Sequence, residues 1–161
     1  MFDYPLDDAL LASTRGGKNV SRAESAETPT VVRNLTQVEQ ALRDSLALNP
    51  DLLSAYFALY KLLFRQSRLD EAASVAELAL AVSARLGRFA AHWQKLTPGS
   101  ADWSNTQSPA HFYLFTLKAL SFIRLRQGKI EECRDMLSQI ERLDPVDSVG
   151  ASVIRAYANG C

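Results

Sequence analysis

The side chains best suited to metal ligation or covalent catalysis in this sequence are two histidines and two cysteines. His92 and His111 do not have a metal-binding spacing such as His-Glu-x-x-His, which places two rings on one helix face. Cys133 falls at an apolar position of a predicted helix, where a buried thiol is unreactive. No Ser-His-Asp order or glycine-rich phosphate loop accompanies them. We therefore expect no catalytic residue, no metal site and no cofactor, and predict that the protein is not an enzyme.

Composition and charge argue against several other classes. The chain has 161 residues, 47% of them hydrophobic, which is enough for one compact domain with its own core. Because 18 basic residues balance 18 acidic ones, the sequence predicts no nucleic-acid partner. Asp3, Asp7 and Asp8 precede any basic residue, unlike in a signal peptide, and no apolar run is long enough to span a membrane. With so few cysteines, we expect a cytoplasmic protein without a membrane partner, and the periplasm is the alternative compartment.

The elements that position the remaining candidate residues are helices. Residues 56–80 have the pattern of a helical hairpin, with apolar residues at helical spacing on either side of the polar break at residues 65–68. Asp70 and Glu71 lie in the first turn of the second helix, where acidic side chains interact favourably with the helix dipole. Since the connection is short, the two helices must be antiparallel neighbours.

The same pattern returns in residues 117–145, with Gly128 at the turn. This copy ends in Leu-Asp-Pro, and an earlier partial copy ends in Leu-Asn-Pro at residues 48–50. The distance along the chain from the opening residue to a small residue in the second helix is the same in both copies: Tyr56 to Ala72 in the first and Leu117 to Cys133 in the second.

These features resemble the tetratricopeptide (TPR) repeat, in which an aromatic-x-x-Leu opening, small residues in a second helix and a final Pro recur over ~34 residues. The resemblance implies an all-α fold, a TPR-like α-α hairpin superhelix of about two or three imperfect repeats with a capping helix. The sequence departs from the family pattern at Tyr60, which takes the place of a small residue, and in an insertion at about residues 87–108.

We expect two parts along the chain. Residues 1–33 are predicted to form a short N-terminal helix and a flexible linker, because the composition turns polar after Gly16. Residues 34–161 form the TPR-like domain, which opens with a capping box between Thr36 and Glu39. Its helices are predicted at about 36–48, 51–65, 69–86, 109–127, 129–143 and 146–157, the last one capping the end.

Trp103 lies in the predicted insertion, in a loop. An aromatic side chain in a loop is a candidate anchor for a partner. The alternative is that Trp103 folds back and fills the space that the insertion opens, because large apolar side chains rarely stay exposed.

The TPR resemblance also implies a concave groove, lined by the first helix of each hairpin. The implied groove positions mix aromatic and apolar side chains with cations: Ser54, Phe57, Lys61, Phe64 and Arg65 in one copy, and Phe115, Lys118, Phe122, Leu125 and Arg126 in the other. Such a surface suits a peptide with apolar anchors and acidic flanks. The alternative is that the phenylalanines belong to the core and the cations only solvate its rim.

Two function classes follow from this sequence. The first is an adaptor or chaperone that binds a protein or peptide partner through the TPR-like groove. The second is a self-associating structural or regulatory protein, a homodimer for example, whose groove is filled by its own N-terminus or by a second copy. Imperfect repeats in this small number favour such self-capping.

Overall fold

The computed structural model describes residues 29–160, with side chains from residue 32 onward, and these residues are all-helical without a strand. The predicted all-α class is confirmed for this part of the chain. The helices are α1 (Pro29–Leu48), α2 (Leu53–Arg65), α3 (Leu69–Gly87), α4 (Pro109–Arg126), α5 (Ile130–Leu143) and α6 (Ala151–Asn159). Two short 3-10 turns, Trp93–Lys95 and Pro98–Ser100, lie between α3 and α4. The predicted helix at residues 5–15 lies outside the described residues.

Successive helices pack against each other in chain order. α1 packs against α2, α3 against both α2 and α4, and α5 against both α4 and α6. α4 is the central helix: its residues 112–123 are all buried, as expected for a helix that is apolar on nearly every side. α2 and α6 both contact α4, so α2, α4 and α6 share one side of the fold.

The turns of the two hairpins have the same backbone hydrogen bonds. In the first turn the N–H of Arg68 donates to the carbonyl of Leu63, and in the second the N–H of Lys129 donates to the carbonyl of Arg124. Corresponding residues have left-handed backbone, Ser67 with φ 59° and Gly128 with φ 78°. The match between residues 56–80 and 117–145 therefore extends from the sequence to the backbone of the turns.

Small residues are buried where the paired helices meet. Ala72 and Cys133, which match each other in the two copies, are each 0% exposed. Ser121 is also fully buried, whereas Tyr60 occupies the matching place in α2 with its large ring buried. Small side chains allow close packing at these points, so Ala72 and Cys133 set the spacing within each hairpin.

The insertion packs onto the core. Trp103 is only 6% exposed, its ring lies against Phe89 with centroids 5.3 Å apart, and its Nε1–H donates to the Thr97 carbonyl at 3.2 Å. Gln139 of α5 holds the segment through donor bonds to the carbonyls of Trp93 and Leu96. Trp103 is therefore not an exposed anchor, because the folded-back position buries its ring and pairs its N–H.

Two predicted helix starts were wrong. α1 begins at Pro29 and crosses the predicted boundary at residue 33, and the Thr36 hydroxyl donates to the Val32 carbonyl within the helix instead of capping it. α6 begins at Ala151, not near residue 146, because Asp147 and Gly150 have positive φ and interrupt the helical path. The Asp147 carboxylate accepts from the N–H of Ala151 and so takes the capping role.

Candidate peptide-binding face

A row of aromatic rings crosses α2, α4 and α6. The ring of Phe57 lies 5.7 Å from that of Phe115, and the ring of Phe64 lies 5.4 Å from that of Phe122 (centroid distances). Tyr157 of α6 continues the row, 6.5 Å from Phe122. These distances are typical of favourable aromatic pairs, so the rings connect three helices that are not consecutive in the chain. We call the row and its cations the aromatic face: Phe57, Lys61, Phe64, Arg65, Phe115, Phe122, Arg126 and Tyr157.

Two of these rings have a cation of the aromatic face over them. The Lys61 Nζ is 5.4 Å from the centroid of Phe57, and the guanidinium carbon of Arg126 is 5.6 Å from the centroid of Phe64 on the neighbouring helix. Both distances are within the range of cation–π attraction. Burial lowers the pKa of Lys61, and the positive charge of Arg65 lowers it further. The positive charges of Lys61 and Arg65 therefore lie close enough to repel each other.

The ten groove positions implied by the sequence fall into three groups. Four are buried, namely Phe64, Phe115, Lys118 and Phe122. Three are half-buried, namely Phe57, Lys61 and Leu125. Three are exposed, namely Ser54, Arg65 and Arg126. The structure thus brings most of these positions to one side of the fold, with three phenylalanines as a buried floor.

Lys118 does not lie on an exposed rim. It is 5% exposed, and its ammonium donates to the Val149 carbonyl in the connection before α6 while lying 4.8 Å from the ring centroid of Phe115. Sequence spacing placed Lys118 on the correct helix face but could not show that the connection after α5 folds over it. We therefore assign Lys118 to the support of the face.

Ser54 belongs to a separate cleft of about 310 Å³ at the starts of α2 and α4. Its lining combines four apolar residues with polar ones, among them His111: Asn49, Asp51, Leu52, Leu53, Ser54, Thr106, Gln107, Ser108, Pro109, His111 and Phe112. The Nδ1 atom of His111 is buried without a hydrogen-bond partner among the described residues. Burial lowers the pKa of His111, and nearby Lys118 lowers it further, while Asp144 acts in the opposite direction.

Tyr157 is the residue of the face that sequence reasoning missed. The sequence places Tyr157 at the end of the predicted capping helix and not among the groove positions, whereas its side chain is 37% exposed and its ring lies near Phe122. The available signal was its position one helix beyond the second hairpin, where a third aromatic would extend the row. It was not used because the TPR resemblance implies groove positions only in the first helix of each hairpin.

The described residues contain no group of three or more His, Cys, Asp or Glu side chains arranged to hold a metal ion. None of the described helices is both long enough and apolar enough to cross a membrane.

Comparison with known proteins gives one relative at low identity. The chain is 28% identical over 118 residues to the "Uncharacterized 19.8 kDa protein in nifW 5'region" of Azotobacter chroococcum mcd 1. The match covers 72% of this chain and 66% of that protein, just under two thirds of its length. No protein-family model matches the chain, and no solved structure matches it.

Proposed function

We propose that this chain is a TPR-like helical-repeat module that binds a peptide or protein partner at the aromatic face, as an adaptor or chaperone. The observation that carries the proposal is the aromatic row across α2, α4 and α6 with Lys61, Arg65 and Arg126 along it. The equal turns of the two hairpins support the TPR-like assignment. In this proposal the protein is cytoplasmic, acts without a cofactor and is not an enzyme.

The chemistry of the face defines the class of partner. The rings of Phe57 and Tyr157 are partly exposed and offer an apolar surface, and Arg65 and Arg126 form no ion pair with a carboxylate of the described residues. A peptide with large apolar side chains and acidic neighbours would satisfy both features, the rings supplying affinity and the cations supplying association rate and orientation.

The test is a selection of short random peptides on the immobilised full-length protein. We expect the selected peptides to combine aromatic or aliphatic residues with Asp or Glu. Their affinity should fall by about tenfold or more, ~1.4 kcal/mol or more, in the double variant Lys61→Glu and Arg126→Glu. The matched control is Lys95→Glu with Arg142→Glu, which changes net charge equally at exposed positions away from the face.

Circular dichroism and the unfolding midpoint must stay unchanged in both double variants. Selected peptides that bind the Lys61/Arg126 variant as tightly as the Lys95/Arg142 control would show that the aromatic face is not the binding surface. If light scattering then gives a dimer for the wild-type protein, the self-associating alternative replaces the proposed function.

A further inference from the structure

The first eleven residues have the composition expected of a ligand for the aromatic face. They carry three aspartates, Asp3, Asp7 and Asp8, and the first basic residue is Arg15. Large apolar side chains alternate with these acids, namely Phe2, Tyr4, Leu6, Leu10 and Leu11. Because the chain as a whole is balanced at 18 basic and 18 acidic residues, this local excess of acid beside apolar residues is complementary to the face.

The point where the chain enters the described structure lies close to the same face. The beginning of α1 and the end of α2 line a shared cleft of about 550 Å³, to which Val32 and Thr36 contribute from α1 and Arg65 from α2. The start of α1, to which residues 1–28 are joined, therefore lies beside Arg65, at the end of the face where Arg126 lies over Phe64.

The connecting residues are numerous enough to reach along the face. Residues 12–28 would span roughly 20–25 Å as a random coil. α2 has 13 residues and is therefore about 20 Å long. A segment joined to α1 can thus reach any part of the face from Arg65 to Phe57 without rearranging the helices.

We infer that residues 2–11 occupy the aromatic face of their own chain, with their carboxylates toward Lys61, Arg65 and Arg126. The inference rests on the proposed function in that an external peptide must displace this segment before it binds. Tethering gives the segment a high effective concentration, so the free protein is held in a self-inhibited state that a tighter partner releases.

Carbodiimide coupling of the full-length protein tests the contact, since the reagent joins carboxylates directly to lysine amines. We expect a coupled product between Asp7 or Asp8 and Lys61 well above any product with Lys95 or Lys129, both of which are exposed. Lys61→Arg keeps the charge but has no amine to couple, so the product should disappear in that variant. Coupling to Lys95 and Lys129 at the level of Lys61 would overturn the inference.

A mixture of ¹⁵N-labelled and unlabelled chains separates this chain from a second copy. Products in which both halves carry the same isotope show contact within one chain, whereas products of mixed isotope in random proportion show that a neighbouring copy supplies the segment. The second result would overturn the inference as stated.

A synthetic peptide of residues 1–15 measures the occupancy of the face. We expect it to bind the full-length variant Asp3→Lys, Asp7→Lys and Asp8→Lys about tenfold more tightly than the wild type, whose face is already filled. Adding Lys61→Glu and Arg126→Glu to that variant should remove the binding. Equal affinity for the wild type and the aspartate variant would contradict the inference.

The two proposals fail separately. If Asp7 or Asp8 couples to Lys61 but no random peptide is captured even by the aspartate variant, the self-occupied face stands and partner binding falls. If random peptides bind in a Lys61-dependent manner without any Asp–Lys61 coupling, partner binding stands and the inference falls.

Discussion

Neighbouring ionisable groups in this protein have very different surroundings. Lys61 is half-buried beside the ring of Phe57, and Arg65 is exposed. Lys118 is buried, and its ammonium donates to a backbone carbonyl. Arg68 links Glu39 of α1 to Glu71 of α3, and its charge and hydrogen bonds lower the pKa of both carboxyl groups. Arg68 therefore ties the turn after α2 to α1 and α3, and Lys118 ties α4 to the connection before α6.

His111 should make stability depend on pH. Its folded pKa is lowered from 6.5, chiefly by burial, so the unfolded chain binds the proton more tightly. The contribution of neutral His111 to the free energy of unfolding is therefore complete above pH 6.5 and is lost as the pH falls from 6.5 through the lower pKa of the folded chain. The free energy of unfolding of the wild type, taken relative to that of His111→Asn, should therefore decrease between about pH 7 and pH 5.

The control for this prediction is His92→Asn, because His92 is exposed. Glu39 does not interfere, since its lowered pKa affects stability only below its ordinary value of 4.5. Parallel pH curves for the wild type and His111→Asn would show that the ring of His111 titrates alike in the folded and unfolded chains.

The helices were more predictable than their connections. α2, α4 and α5 were predicted to within two residues at each end, because apolar spacing, Ser108 with Pro109 and the turn at Gly128 all act locally. The start of α1 was missed because a Thr-x-x-Glu pattern also occurs inside helices, where the Thr36 hydroxyl bonds back to Val32. The burial of Trp103 was not predictable in this way, because it depends on contacts with Phe89 and Tyr113, which are distant in the sequence.

Exchanging serine and glycine between the two hairpin turns should stabilise the first turn and destabilise the second, because Ser67 and Gly128 both have left-handed backbone. A left-handed residue other than glycine costs about 1–2 kcal/mol, and the greater freedom of glycine in the unfolded chain returns about 0.4–1 kcal/mol of that. Ser67→Gly should therefore raise the free energy of unfolding by about 0.5–1 kcal/mol, and Gly128→Ser should lower it by a similar amount. A Cβ at Gly128 would meet no atom within 4 Å, so only backbone strain is tested there.

Chemical denaturation of the two single variants and of the double exchange checks the matched turns. The double variant should return close to the wild-type midpoint, because the two sites lie in different hairpins and their effects add. Destabilisation by both single changes would mean that the Ser67 side chain, and not its backbone, matters in the first turn.

On the scale of the whole molecule, packing is mainly between neighbours in the chain, whereas the aromatic row joins alternate helices. The sequence predicted most members of the row, because the resemblance to the TPR repeat implies one shared side for the first helix of each hairpin. It could not predict how deeply each is buried, since Lys118 and Phe122 are covered by the connection before α6 and by α6 itself. How deeply each side chain of the face is buried therefore depends on contacts that form only when the whole domain folds.

The last helix should open before the rest of the fold. α6 has nine residues and packs mainly on α5 and α4. The backbone of Val149, just before α6, holds this helix to the rest of the fold. Its N–H donates to the buried Asp144 carboxylate, and its carbonyl accepts from the buried Lys118 ammonium. In folds stacked along one direction, a terminal element with few neighbours exchanges its amide hydrogens by local opening.

Amide hydrogen exchange of the wild type and Lys118→Met measures this opening. The methionine keeps the apolar stem but leaves the Val149 carbonyl without its donor, a loss of about 1–3 kcal/mol. Exchange in α6 should therefore speed up by about tenfold or more, while α2 and α3 keep their wild-type rates. The exposed lysine variant Lys129→Met should leave every helix unchanged. An equal increase in α2, α3 and α6 would show instead that the molecule opens as one cooperative unit, with the aromatic row coupling its helices more strongly than their neighbour contacts.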